Sequence, residues 1–219
     1  MLPITLRPER PADFRAVEEL TRDAFWNHYA PGCDEHYLAH ILRDSPDFVP
    51  ELDYVALHNG QAVGSIMYTR ARIALDRGGT REVLCFGPLA VAPAFQGQGV
   101  GGQLIEHTKA LARELGHQAI LILGDPDYYG RFGFVPAERY GIGTSWGMYI
   151  ISLQALALQP GALADCAGCF EESASFQMDP AEAAAFDAGF PPREKISGLP
   201  SQERFQWILQ QTRPRCPQI

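Results

Sequence analysis

The sequence predicts a mixed α/β domain followed by a C-terminal extension, and three observations lead to that class. The first half alternates short apolar-rich strands with turn signals. One amphipathic helix then follows a glycine-rich loop, and a continuous apolar run, Ala119 to Leu123, comes after it as a strand buried on both faces does.

In order, Ile4 to Arg7 reads as a first strand, and Asp13 stands where it can cap a helix bearing Phe14, Val17, Leu20, Ala24 and Phe25 at helical spacing. A second helix is expected over His36 to Arg43, ended by Ser45-Pro46. Asp53 to Leu57 and Ala62 to Thr69 form a hairpin whose Asn59-Gly60 pair supplies the positive φ angles of its turn. Arg77-Gly78-Gly79 then turns the chain into a strand from Glu82 to Val91. Val100 to Leu115 is a helix with Val100, Leu104, Thr108, Leu111 and Leu115 on one face, closed by Gly116. Asp125 caps a short helix with Pro126 at its first position and Gly133 past its end. Strands are expected from Phe134 to Pro136 and from Met148 to Leu153.

Gln159-Pro160-Gly161 marks a boundary, dividing a main domain, 1–158, from an extension, 159–219, that packs on it. Within the extension Cys169 to Met178 reads as a strand, Asp179-Pro180-Ala181-Glu182 as a helix start, and Ser201 as the cap of a last helix carrying Phe205, Ile208 and Leu209. Arg213 to Ile219 is expected to fray.

A net charge of −8 and the lack of a basic stripe argue against nucleic acid as a partner. No apolar run reaches the ~20 residues of a membrane span, and the N-terminus lacks a signal pattern, so no membrane partner and a cytoplasmic location are expected. The five cysteines are scattered, and Cys166-x-x-Cys169 lacks the second pair or nearby histidines of a zinc site; no metal is expected.

The chemistry concentrates in Gln96-Gly97-Gln98-Gly99-Val100-Gly101-Gly102, between a strand and a helix. Glycines let backbone N–H groups approach an anion, and the helix N-terminus adds partial positive charge, so a pyrophosphate is the natural guest. No Lys-Ser or Lys-Thr follows, which excludes a P-loop. Gly97, Gly99 and Gly102 match the dinucleotide pattern G-x-G-x-x-G, but Ala92-Pro93-Ala94-Phe95 separates them from their strand, and no further βα units follow Asp125.

Gln96-x-x-Gly99-x-Gly101 resembles the loop of the GCN5-related N-acetyltransferases, the GNAT superfamily, and the flanking Phe86-Gly87-Pro88-Leu89-Ala90-Val91 and Tyr129-Gly-Arg-Phe-Gly133-Phe134 resemble its neighbouring elements. The run is most similar to a subgroup of bacterial GNATs, and its motifs are specific from Phe86 to Pro136. The resemblance implies a mostly antiparallel sheet with a splayed central strand pair, flanked by helices. It implies acetyl-CoA as co-substrate, with its pyrophosphate on the amides of Gly97 to Gly102 and its pantetheine along Leu89, Ala90 and Val91. Leu89 N–H would face the thioester carbonyl, and Tyr129 would protonate the departing thiolate in preference to Tyr128. GNAT enzymes often carry a glutamate or histidine base on the strand before the loop; here Cys85, Phe86, Gly87 and Pro88 stand there, and Glu82 reads as a surface residue. The implied reaction is direct acetyl transfer within a ternary complex to a primary amine of a small molecule or peptide, and a homodimer is compatible with it. An acyl-CoA-binding regulatory module and an NAD(P)-dependent oxidoreductase are the alternatives.

Overall fold

A computed structural model describes residues 2–216. The chain runs through β1 (Thr5–Pro8), α1 (Phe14–Phe25), α2 (Glu35–Leu42), β2 (Tyr54–His58), β3 (Gln61–Leu75) and β4 (Thr80–Val91). It continues with α3 (Val100–Glu114), β5 (Ala119–Leu123), α4 (Pro126–Tyr129), β6 (Val135–Pro136), β7 (Ile142–Thr144), β8 (Met148–Ile150) and β9 (Leu153–Ala157). β10 (Gly168–Glu171), α5 (Pro180–Asp187), α6 (Pro200–Gln210) and β11 (Thr212–Pro214) follow. The fold is mixed α/β with mostly antiparallel pairing, as the sequence predicts.

The chain forms two compact units, passing between them inside β3, β4, α3 and α6 and between Ser173 and Ala174. The first comprises Met1–Tyr68, Gly87–Thr108 and Ala174–Glu203. In it β1 pairs antiparallel with β2, and β2 with β3 through a tight turn in which Asn59 and Gly60 hold φ of 51° and 82°. α2 buries Leu38, Ala39 and Leu42 against Met67, with Phe176 and Met178 of the C-terminal segment packed on that cluster. α5 is tied down by Asp187, which accepts a 2.6 Å hydrogen bond from the buried Arg22 of α1 and lies 3.0 Å from His36 Nε2 of α2.

Asp13 does not cap α1. Its carboxylate takes hydrogen bonds from Arg7 (2.6 and 2.8 Å) and from Arg10 N–H, closing a 3₁₀ turn over Pro11–Asp13 instead. Bonding to the Arg7 guanidinium holds that carboxyl below the usual carboxylate range.

A buried acid sits beside this turn. Asp53 is pushed up to about 9, first by burial and then by the charge and hydrogen bond of Glu9, whose side chain also pairs with Arg43 at 2.8 Å. A carboxyl raised above its unfolded value of ~3.9 holds its proton in the native state across pH values where the unfolded chain has lost it. The stability it lends is therefore complete below about pH 4 and lost as pH rises to about 9. Asp53→Asn, which cannot ionise, is expected to flatten that decline, with Tm at pH 8.5 changed relative to wild type by about 2–4 °C for each kcal/mol retained. Melting curves from pH 5 to pH 9 that fall in parallel for both proteins would contradict this assignment.

The second unit comprises Thr69–Phe86, Lys109–Ser173 and Arg204–Ile219. β4 pairs in parallel with β5 in a single step, Leu84↔Ile120, and β9 runs antiparallel to β5 over its whole length. The end of β3 pairs with β10, which in turn runs parallel to β7.

Several expected elements differ. The strand expected from Met148 to Leu153 is two: β8 takes β11 as its partner, whereas β9 follows β5, so the chain turns between them. β7 was without a sequence signal. The strand expected over Cys169 to Met178 stops at Glu171, because a 3₁₀ turn, Ala174–Phe176, redirects it. Leu115 is exposed: α3 ends at Glu114, and Ile105 and Ala112 fill its inner face instead. Ser201 lies inside α6, which begins at Pro200, and the Gln202 side chain accepts from Gly198 and Leu199 N–H at the helix start. Of the end expected to fray, Thr212–Pro214 forms β11, and 217–219 lie outside the described residues.

Candidate active site

Within the first unit, β4 leads through a 3₁₀ turn, Pro93–Phe95, into the glycine loop. Gly97 and Gly99 adopt φ of 72° and 85°, left-handed conformations that disfavour any residue with a Cβ. The loop is pinned by its own glutamines: Gln96 Nε2 donates to Val91 O at 3.0 Å and Gln98 Nε2 to Ala94 O at 2.8 Å. The first helical bond runs from Gln103 N–H to Gly99 O, so the amides of Val100, Gly101 and Gly102 form the donor-rich start of α3.

The docking of that helix start depends on a residue the sequence does not advertise. A Cβ on Gly64 of β3 would lie 3.0 Å from Val100 Cγ1, 3.2 Å from Leu104 Cδ1 and 3.3 Å from Ala90 O. Gly64 thus lets the first turn of α3 rest on the backbone of β3, with Val100 and Leu104 buried. Leu89 and Val91 are half-buried on β4, with Ala90 between them buried.

Within the second unit, Asp125 caps α4 by accepting from Asp127 N–H at 2.9 Å, and the Tyr128 and Tyr129 amides bond to its carbonyl at 3.0 Å. Gly133 ends the segment at φ 88°. The Tyr129 ring lies among Phe86 of β4 (centroids 5.8 Å), Phe134 (5.8 Å) and Tyr128 (4.9 Å). On its remaining side it presses on Gly124, where a Cβ would overlap the ring, 2.7 Å from Cδ2 and nearer still to Cε2. Tyr128 instead packs at a tilt against Phe132 and carries the Arg131 guanidinium 4.6 Å above its ring, and burial raises its phenol.

The cap is braced by a residue far along the chain. Arg204 of α6 donates to both Asp125 oxygens (2.9 and 3.0 Å) and to Asp127 (2.6 Å), and this bonding lowers the Asp125 carboxyl. Arg204→Ala is expected to leave acetyl-CoA affinity near wild type while lowering kcat by a few-fold, through a looser α4. Kinetics at saturating acetyl-CoA check it; a change confined to KM for acetyl-CoA would refute it.

Cys85 of β4 is buried, and burial raises its thiol, with the nearby Glu172 carboxylate acting in the same direction. It is therefore held as a neutral thiol rather than as a nucleophile. Glu82 is exposed on β4. Cys166 and Cys169 are both free thiols, and among the described residues no cluster could hold a metal ion.

A family model described as an acetyltransferase (GNAT) domain matches residues 51–136, from just before β2 through β6, a stretch that holds both the glycine loop and Tyr129. Over that stretch the chain carries a GNAT acetyltransferase domain. The chain is 40% identical over 99 residues to the uncharacterized N-acetyltransferase YjhQ of Escherichia coli K12, an alignment that spans 45% of the chain but only about half, 54%, of that relative. To the uncharacterized N-acetyltransferase YhbS of the same organism it is 29% identical, over 76% of the chain and 94% of the relative. The crystal structure of Escherichia coli YhbS in complex with CoA superposes with a TM-score of 0.72 at 28% identity, covering 81% of this chain and 94% of that one. A GNAT family acetyltransferase from Brucella melitensis in complex with acetyl-CoA gives 0.63 at 29% identity, covering 80% and 99%.

Proposed function

We propose that the protein transfers the acetyl group of acetyl-CoA to a primary amine of a small molecule or peptide, directly, within a ternary complex. The observation that carries this is the loop of left-handed glycines opening onto the amides of Val100, Gly101 and Gly102, a donor array suited to a pyrophosphate. The CoA and acetyl-CoA complexes of the two related structures support the same guest. In this reading Gln96 to Gly102 hold the pyrophosphate, and Leu89, Ala90 and Val91 present backbone to pantetheine. Leu89 N–H stabilises the oxyanion, and Tyr129 gives the leaving sulfur its proton.

Direct transfer is favoured over an acyl-enzyme route because Cys85, the thiol at the centre of β4, is kept protonated. The free thiols of Cys33, Cys85, Cys166, Cys169 and Cys216 fit a reducing compartment such as the cytoplasm. The test is release of free CoA thiol from acetyl-CoA with a panel of small amines and peptides. Amine-dependent release supports acyl transfer; tight acetyl-CoA binding with no release for any amine would point to a regulatory binding module instead.

A further inference from the structure

The amides that open α3 can act together on a phosphate only if the chain between Val91 and the helix holds one shape. Packing supplies little of that constraint. Pro93, Ala94, Gln96, Gly97, Gln98 and Gly99 are exposed, and a Cβ at Gly97 or Gly99 would meet nothing within 4 Å. From Glu82 to Thr108 the chain carries no lysine or arginine, so this stretch meets an anion with backbone dipoles, whose effect depends on their alignment.

Hydrogen bonds supply the constraint instead, in closed rings that follow one another along the chain. Gln96 Nε2 donates to Val91 O at 3.0 Å and closes residues 91–96. Gln98 Nε2 donates to Ala94 O at 2.8 Å and closes 94–98, overlapping the first ring. Gln103 N–H donates to Gly99 O at 3.0 Å and closes 99–103 as the first turn of α3. The middle ring carries the most strain-prone stretch. Gln98 stands between Gly97 and Gly99, at φ of 72° and 85°, and glycine is the residue with the most backbone freedom to lose. The Gln98 bond is the side-chain tie that spans Gly97 and brings the chain to Gly99, where the helix takes over. A carbonyl oxygen only accepts, so Ala94 O also fixes the Gln98 amide with its nitrogen turned inward, onto the loop.

We propose that Gln98 is a positioning residue of the cofactor site, whose bond to Ala94 O holds the loop in its phosphate-binding shape before the cofactor arrives. The inference rests on the acetyl-CoA reading above. A loop already ordered does not lose conformational entropy when the ligand binds, so the tie is felt as affinity. Gln98 makes that contribution through Ala94 and the flanking glycines, and the phosphate meets the amides. The pyrophosphate is separated from the thioester by the pantetheine arm, so ground state and transition state gain alike and the effect falls on KM rather than kcat.

The test removes the donor and keeps the length of the side chain. Gln98→Met in the full chain is expected to melt as wild type does, because the side chain it replaces is exposed. Its Kd for CoA, measured by isothermal titration, should rise about tenfold, the effect of one hydrogen bond. In amine-dependent turnover the loss should lie in KM for acetyl-CoA, with kcat retained. The deciding measurement is made on the free protein. Backbone amide order parameters at Gly97, Gln98 and Gly99, from NMR relaxation, should be about 0.85 in wild type and fall towards about 0.6 in Gln98→Met, and saturating CoA should restore them. Weaker binding with unchanged order parameters in the free variant would make Gln98 a direct ligand contact and overturn the proposal while leaving the acetyl-CoA reading intact. An affinity within about twofold of wild type would overturn it in the same way. A wild type that binds neither CoA nor acetyl-CoA would overturn both. If Gln98→Met does not fold, Gln98→Glu decides by the same measurements, since a carboxylate cannot donate to a carbonyl.

Discussion

Gly99→Val is expected to abolish measurable acetyl-CoA binding in a protein that still folds. Gly99 sits at φ 85°, and forcing a residue with a Cβ into that region costs about 1–2 kcal/mol, more for a β-branched one. No neighbour lies within 4 Å of where its Cβ would go, so the substitution does not disturb the core. Instead the added carbons occupy the space through which a phosphate reaches the amides at the start of α3. Charge-assisted hydrogen bonds contribute ~1.5–3 kcal/mol each, so losing two weakens binding about 100-fold or more. Gly101→Val acts by the same obstruction from within the first turn of α3. Isothermal titration with acetyl-CoA, on variants whose melting curves show folding, measures both; unchanged affinity would remove the loop from the cofactor site.

Tyr129→Phe should retain acetyl-CoA affinity and lower kcat by at least ~10-fold, with a smaller loss for Tyr128→Phe. A phenol near ~10 protonating a thiolate near ~8.5 works against a mismatch of about 2 kcal/mol at most, which a local field can remove. The two tyrosines differ in setting: Tyr129 faces Phe86 and Phe134, whereas Tyr128 packs at a tilt against Phe132 beneath Arg131. Gly124→Ala supplies an independent check, because its methyl group would displace the Tyr129 ring without changing the hydroxyl. It should reproduce the loss in kcat in part. Equal, near-wild-type kcat in Tyr129→Phe and Tyr128→Phe, under conditions where chemistry limits the rate, would take Tyr129 out of the mechanism.

What the sequence made legible was local. Asn59-Gly60 announced a turn because few residues tolerate its φ angles, and Asp125-Pro126 announced a helix start because the cap lies two residues from the amide it accepts from. The glycine loop was readable for the same reason. What escaped depends on pairs distant in the chain. Arg204 reaches Asp125 across 79 residues, and nothing near either one signals the other. Gly64 within β3 and Gly124 just past β5 look ordinary until a helix and a tyrosine ring are set against them. The break between β8 and β9 was hidden because both halves are apolar and only their different partners separate them. Glu171 and Glu172 look alike in the sequence, and the arginine set opposite Glu171 by the pairing of β10 with β3 tells them apart.

The neutral thiol of Cys85 also determines how the protein meets oxidants. Sulfenic acid forms from thiolate, and both the protonated state and the burial of Cys85 withhold it from peroxide and from alkylating reagents. Cys216, on the surface, is the sulfur that such agents reach first. Oxidative damage is thereby steered to the far end of the described chain, and the middle of β4 passes through it chemically unchanged.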